Sequence, residues 1–426
     1  MILDQKVLSR AINATLNYIL VAFTILIFAW IILPSYRMAV VETYVGLTAF
    51  IIILLLAFFN PNFRITIRKL FVIILLTCVI TFIVPAGFNF NIGFIPLLEY
   101  SIFALPAVLG AVFISEKKKW MILFLIIATA YMLFMVVQST MHVLIEYPSA
   151  ARDLAQGIDT PQLTEWRMAN VGGFGFAYCA AAVGFLLFSL LVLKSNLILK
   201  VGYVVLFIYI SIFIFLAQYT TLLVFYAVGI GFLIFRRIQS TAIKMILLII
   251  TMVIALSLQD IMYAVSDYCN ANDLSALGHH FDDFGDALGG KDLRSSRRYL
   301  AIRALDIWLD SPIWGMPNCK IPSNINYLPV MEAHSGMASM LASTGIIGVA
   351  FTGMFFYSLW NMVRSALKHQ NLSTLGFDIS TLFMVVVFFI NPIFNVSEIS
   401  VTTFFLVPAV TYFLNIKNER KKTMAC

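Results

Sequence analysis

Residues 16–33 read LNYILVAFTILIFAWIIL, a run of eighteen without one charged side chain. Wound as an α-helix at about 1.5 Å per residue, the run extends about 27 Å, close to the hydrocarbon thickness of a bilayer. It is as long as a span and lacks the small-residue cleavage site of a removed leader, so it is expected to stay attached as a signal anchor. Eleven further apolar runs follow, near residues 40–59, 70–88, 96–115, 120–138, 170–193, 200–217, 219–235, 243–261, 336–360, 377–396 and 400–416. Short alternating segments are absent, which excludes a β-barrel. The expected fold class is all-α: a polytopic membrane protein of about twelve transmembrane helices, with a large outer loop containing an amphipathic helix.

Composition leads the same way. Of 426 residues, 61% are hydrophobic and 12% charged, a balance that a soluble globule could hold only by exposing large apolar patches. The net charge of +7 would suggest an anionic partner in a soluble protein. Here topology explains most of it, and no nucleic-acid partner is expected. Lys6 and Arg10, then Arg64, Arg68 and Lys69, then Lys117, Lys118 and Lys119 fall on alternate connections, as do the basic residues near 194–200, 236–244, 364–368 and 417–422. Together they are 19 of the 28 basic residues, and the positive-inside rule makes their side the cytoplasm, with both termini on it.

The other nine are Arg37, Arg152, Arg167, Lys291, Arg294, Arg297, Arg298, Arg303 and Lys320. Eight of them fall in two outer loops, about 139–169 and 262–335, where the positive-inside rule does not account for them. The chain therefore divides into five helices (1–138), the first outer loop with helices six to nine (139–261), the large outer loop (262–335), and three helices with a cytoplasmic tail (336–426).

Within the large loop, Leu300, Ala301, Ala304, Leu305 and Trp308 recur with a helical period, so the stretch from Arg297 to Leu309 is expected to form an amphipathic helix at the outer interface. Guanidinium groups bind phosphate bidentately and keep their charge, so Arg297, Arg298 and Arg303 suit a lipid-linked phosphate or pyrophosphate. The competing reading is an interfacial helix whose arginines snorkel to lipid headgroups. His334, just before the tenth span, can take a proton from a sugar hydroxyl near neutral pH, with Glu332 as second base or orienter. Such a histidine can equally be a satisfied polar cap. Arg167 precedes a glycine-rich start to the sixth span, Gly172-Gly173-Phe174-Gly175, which permits close helix packing or close approach of backbone to a ligand. The cluster from His279 to Asp286 fits neither zinc nor calcium spacing and reads as a solvated acidic face, or as a sugar-contacting surface with Phe281 and Phe284 as stacking platforms. Cys269 and Cys319 share the large loop on the oxidising side, and a disulfide between them would tie the arginine helix to the span ends.

Taken together, these residues resemble the O-antigen polymerase and O-antigen ligase superfamily of bacterial membrane glycosyltransferases. The resemblance rests on Arg297 leading into Ala304-Leu305-Asp306-Ile307-Trp308 and the turn Pro312-Ile313-Trp314-Gly315. It rests further on His334-Ser335 followed by Gly345-Ile346-Ile347-Gly348, and on Arg167 before the glycines. It covers about residues 165 to 360. The chain departs from the family where many members begin the eighth helix with Ser-Arg and this one reads Gln218-Tyr219-Thr220-Thr221.

The resemblance implies inverting transfer of a glycan from an undecaprenyl-pyrophosphate donor to an acceptor hydroxyl, outside the membrane. No cofactor or metal is needed where arginines hold the pyrophosphate. Arg167 and Arg297 would neutralise the leaving group, joined by Arg298 or Arg303, and His334 would activate the acceptor. The leading expectation is a polysaccharide repeat-unit polymerase in a bacterial cytoplasmic membrane, working beside a flippase and a chain-length regulator. The near alternative is a ligase of the same superfamily. The alternative of another class is a transporter or flippase for lipid-linked glycan, against which stand the lack of an internal repeat and the scarcity of charge inside the spans.

Overall fold

The computed structural model describes residues 2–60, 64–83, 90–147, 150–154, 160–191, 197–217, 219–272, 274, 278–279, 281–282, 285–286, 296–316, 319–322, 327–329, 335–390 and 397–414. The first helix, α1 (Ile2–Ile32), ends because Pro34 holds Leu33 extended at φ −93°, ψ 110°. Pro34 then opens α2 (Pro34–Ala39), at the position where its missing N–H costs nothing. Next come α3 (Glu42–Phe59), α4 (Arg64–Cys78) running into a π turn (Val79–Ile83), α5 (Phe90–Ser115) and α6 (Lys119–Glu146). Two short helices, α7 (Ala150–Asp153) and α8 (Pro161–Met168), precede α9 (Phe174–Leu191), α10 (Leu197–Leu216), α11 (Thr220–Arg237), α12 (Thr241–Leu256) and α13 (Leu258–Ala271). After α14 (Ser296–Asp310), a small antiparallel pair, β1 (Lys320–Pro322) and β2 (Tyr327–Pro329), sets Ile321 opposite Leu328. The chain closes with α15 (Gly336–His369), α16 (Leu375–Ile390) and α17, which runs Ser397–Leu414 with a π turn at Val401–Leu406.

Among the described residues, eight helices are long and apolar enough to cross a membrane: the greater parts of α1 and α5, with α3, α6, α9, α10, α15 and α17. Parts of α11 and α16 form shorter apolar helices. The other two expected runs are also helical, but one begins with Arg64, Arg68 and Lys69 and changes pitch at its π turn, and α12 is only 16 residues long. The first outer loop is less a loop than expected: α6 runs on to Glu146, and α7 and α8 follow.

At the axis stands α5, 89% of whose span is buried, against 17% for α10 and 33% for α3. Lipid tails are as apolar as leucine, so helices associate in a membrane through close packing. Phe103 of α5 meets Phe355, Phe356 and Phe404 at ring separations of 6.4, 5.6 and 6.2 Å. The Tyr100 and Thr352 hydroxyls are hydrogen-bonded at 2.9 Å. Gly110 lets α5 approach the π turn of α17 so closely that a Cβ there would lie 2.8 Å from the Phe404 carbonyl oxygen.

One joint places the large loop. The long helix α15 is broken at Gly345, whose φ is +63°, and the turn after α14 fills the break with its own main chain. The Ile346 N–H donates to the Pro312 carbonyl at 3.0 Å, Ile347 N–H to Ile313 at 3.3 Å, and Met316 N–H to Ala342 at 2.6 Å. A break in a helix frees backbone groups that cannot be left bare near lipid, and these bonds satisfy them. Both glycines are required: Gly315 (φ +69°) and Gly345 each face the other segment's backbone where a Cβ would collide. Since α14 and the first part of α15 both run toward this joint, they lie side by side in the same direction. Leu300 and Ala304 of α14 pack there on Ala338 and Ala342.

Candidate functional site

A pocket of about 400 Å³ opens where the end of α2, the α8–α9 junction and the start of α17 converge. Its charged lining residues are Arg37, Arg167 and Glu398, and Gly173 and Gly175 supply bare backbone.

Arg167 is held from its own segment. Thr160 caps α8, its hydroxyl accepting from the Leu163 N–H at 3.3 Å, and Pro161 takes the first turn. Buried Leu163 and Trp166 anchor one face of the helix. The C-terminus closes as a Schellman turn, with Val171 N–H on Trp166 O at 2.9 Å and Asn170 N–H on Arg167 O at 3.1 Å. Asn170 sits at φ +60°, where asparagine is tolerated better than most residues. Its side-chain oxygen accepts from the Ser35 N–H at 3.1 Å and the Ser35 hydroxyl at 2.7 Å. The same asparagine thus ends α8 and clamps it to the start of α2. Gly172 N–H donates to the Thr140 hydroxyl at 2.7 Å, tying the glycine segment to α6.

Arg37 enters from α2. Its Nη2 donates to the Ile31 carbonyl and, at 2.8 Å, to Glu398 Oε1, while Nε reaches the Trp30 carbonyl at 3.5 Å. It therefore covers carbonyls that end α1, where a cation is favoured. Glu398 is only 8% exposed, and Oε2 has no hydrogen-bond partner among the described residues. Two guanidinium groups among the lining residues, beside an apolar interior, suit an anion delivered from the membrane surface.

A larger cavity of about 1160 Å³ lies among α1, α3 and the end of α5, lined mainly by aliphatic side chains. Its polar groups satisfy one another: Lys118 pairs with Glu116 at 2.6 Å and donates to Asn17 at 2.9 Å, and Asn60 donates to Glu116 at 2.6 Å. It offers room for a lipid tail.

Of the residues expected from the sequence, Arg167 lines the pocket. The backbones of Arg297 and Arg298 occupy the first turn of α14, as expected, but their side chains lie outside the described residues. Arg303 does not line the pocket; it is half exposed and sits 3.5 Å from Asp306 along the same helix face. His334 and Glu332 lie outside the described residues. Their neighbour Ser335 is firmly placed: it caps α15 by accepting from the Ala338 N–H at 3.3 Å and donates to the Phe389 carbonyl at 3.0 Å. Because α14 and α15 run side by side toward their joint, the turn carrying Arg297 and the cap at Ser335 are at the same end of that pair.

Two expectations change. Phe281 is no stacking platform: it is 7% exposed and buried with Met262 and Cys269. Cys269 and Cys319 are not bridged to each other. Cys269 packs under α13, while Cys319 packs against the α14–α15 pair. Burial also pushes the Cys269 thiol above its ordinary pKa, which keeps it protonated and slow to form a disulfide. Arg37 and Glu398 were not anticipated as site residues. The available signal was that Arg37 alone among the nine outer basic residues falls in a short hairpin, and that Glu398 opens an apolar run.

In comparisons with known proteins, the chain matches no protein-family model, no curated protein and no solved structure.

Proposed function

We propose that the chain is a polysaccharide repeat-unit polymerase of the O-antigen, capsule or exopolysaccharide kind. It is a metal-independent inverting glycosyltransferase that moves a glycan from an undecaprenyl-pyrophosphate donor to a lipid-linked acceptor at the outer face of a bacterial cytoplasmic membrane. In this reading about twelve helices cross the membrane and both termini are cytoplasmic. A flippase supplies the repeat units and a chain-length regulator limits the product. The observation that carries the reading is the pocket in which Arg37 and Arg167 set fixed positive charge beside glycine backbone at a helix start, in a chain otherwise built for lipid.

The acceptor oxygen bonds to the anomeric carbon from the face opposite the leaving group as the bond from that carbon to the phosphate oxygen breaks. The electron pair leaves with undecaprenyl pyrophosphate, whose growing charge the arginines meet: Arg167 from the pocket, with Arg297 and Arg298 from the first turn of α14. The hydroxyl proton passes to His334, oriented by Glu332. Fixed guanidinium charge does the work that a divalent ion does elsewhere.

Purified protein in vesicles, given a labelled undecaprenyl-pyrophosphate oligosaccharide, is expected to build longer lipid-linked chains, and His334→Ala to stop it. Transfer only to a lipid core or protein would make the chain a ligase. Movement of unextended donor across the vesicle would make it a transporter. Undiminished turnover by His334→Ala would end the proposed mechanism.

A further inference from the structure

We propose that Glu398 makes the pocket selective for a pyrophosphate that carries a sugar, its Oε2 accepting a hydrogen bond from one of that sugar's hydroxyls. The inference rests on reading the pocket as the site for a lipid pyrophosphate, and it adds the group that tells loaded carrier from spent carrier.

Glu398 is 8% exposed and lines the pocket. Its two oxygens have different fates: Oε1 accepts from Arg37 at 2.8 Å, whereas Oε2 is buried without a hydrogen-bond partner among the described residues. Anchoring Arg37 takes one oxygen only. An ionised carboxylate has no proton to give, so the second oxygen is completed only by a donor. Desolvated acceptors in native proteins are nearly always paired, and one left unpaired on a residue that lines a cavity points to the ligand as its partner. Bare pyrophosphate is chiefly an acceptor. A glycosyl pyrophosphate brings hydroxyl donors on the same molecule as the anion. The pocket's volume, about 400 Å³, lies within the usual range for a small-molecule site, about 300–1,000 Å³. After transfer the carrier has gained negative charge but lost the hydroxyls, and with them the hydrogen bond that Glu398 accepts.

The test compares dissociation constants of full-length protein in nanodiscs for two probes. One is farnesyl pyrophosphate. The other is the same lipid pyrophosphate bearing glucose, galactose or N-acetylglucosamine. Wild type should prefer at least one glycosylated probe by roughly 10–100-fold, the worth of a hydrogen bond to a charged group. In Glu398→Gln the amide oxygen must face Arg37, which only donates, so an NH₂ replaces the acceptor in the pocket and the affinity ratio should fall toward one. A folded Glu398→Gln protein that keeps the full preference overturns the proposal. Should that variant unfold, the wild type decides with singly deoxygenated sugars: one analogue should lose roughly tenfold or more, and equal binding by all of them overturns the proposal. Binding of neither probe by wild type would remove the pyrophosphate reading itself, a result distinct from binding both probes equally.

Discussion

Arg167 and Asn170 show how two side chains three positions apart divide the work of a site. Arg167 presents charge to the pocket, and Asn170 holds the backbone that aims it. Arg167→Ala is expected to cut turnover by about 100-fold or more, as the loss of a charge-stabilising donor does elsewhere. Lysine should rescue only part of that, because it lacks the planar fork. The check is initial rate on lipid-linked donor beside the thermal midpoint in detergent, which should stay near wild type for both variants. Asn170→Ala should show the opposite split. It forfeits two hydrogen bonds from Ser35 and puts alanine at φ +60°, a cost of about 2 kcal/mol or more. Its thermal midpoint should fall measurably.

At the scale of elements, the joint between the α14–β1 turn and the broken helix α15 joins two sequence motifs by main-chain bonds. Gly345→Ala would collide with the Ile313 and Trp314 backbone and strain a positive φ, so it should cost more than about 3 kcal/mol and yield little folded protein. Gly353 lies on the same helix with open space where a Cβ would go, so Gly353→Ala should be neutral or gain about 0.5–1 kcal/mol. Thermal unfolding of the pair separates backbone fit from helix propensity. Sequence periodicity reached α14 to within a residue at each end, because Leu300 and Ala304 do face a partner. Leu305, 38% exposed, lies off the face that packs on α15, since a five-residue spacing from Leu300 turns that side chain away.

For the whole molecule, the alternation of basic residues assigns each connection to one end of the bundle, and the contacts respect it. Ser35 meets Asn170, Arg37 meets Glu398 and Tyr219 meets Ala151, all on connections assigned to one end, and Ser335 on that side meets Phe389 in the last turn of α16. Lys118 meets Asn17, Asn60 meets Glu116, and Arg364 pairs with Asp378 at the other. A fluorescent protein fused after Cys426 should therefore fold and fluoresce in the cytoplasm, whereas an alkaline phosphatase fused there should stay inactive; the reverse pattern would invert the topology. On the proposed mechanism, in which arginines hold the leaving group, a chelator such as EDTA is expected to leave polymer formation unchanged; a loss restored by a divalent ion would require a metal.

The amino-acid sequence by itself determined that lipid is the solvent, where most helices begin and end, and which connections share an end, because apolar length, proline and basic charge act locally along the chain. It also singled out Arg167, from its place beside a glycine-rich helix start. Only the tertiary structure decided that Arg37 and Glu398 meet it. Those residues lie 361 positions apart, and their pairing depends on how α17 packs against α5 and α9, which no local pattern encodes. The pocket is a product of that packing: a charge at the first span's end and a carboxylate at the last become one site when the bundle closes.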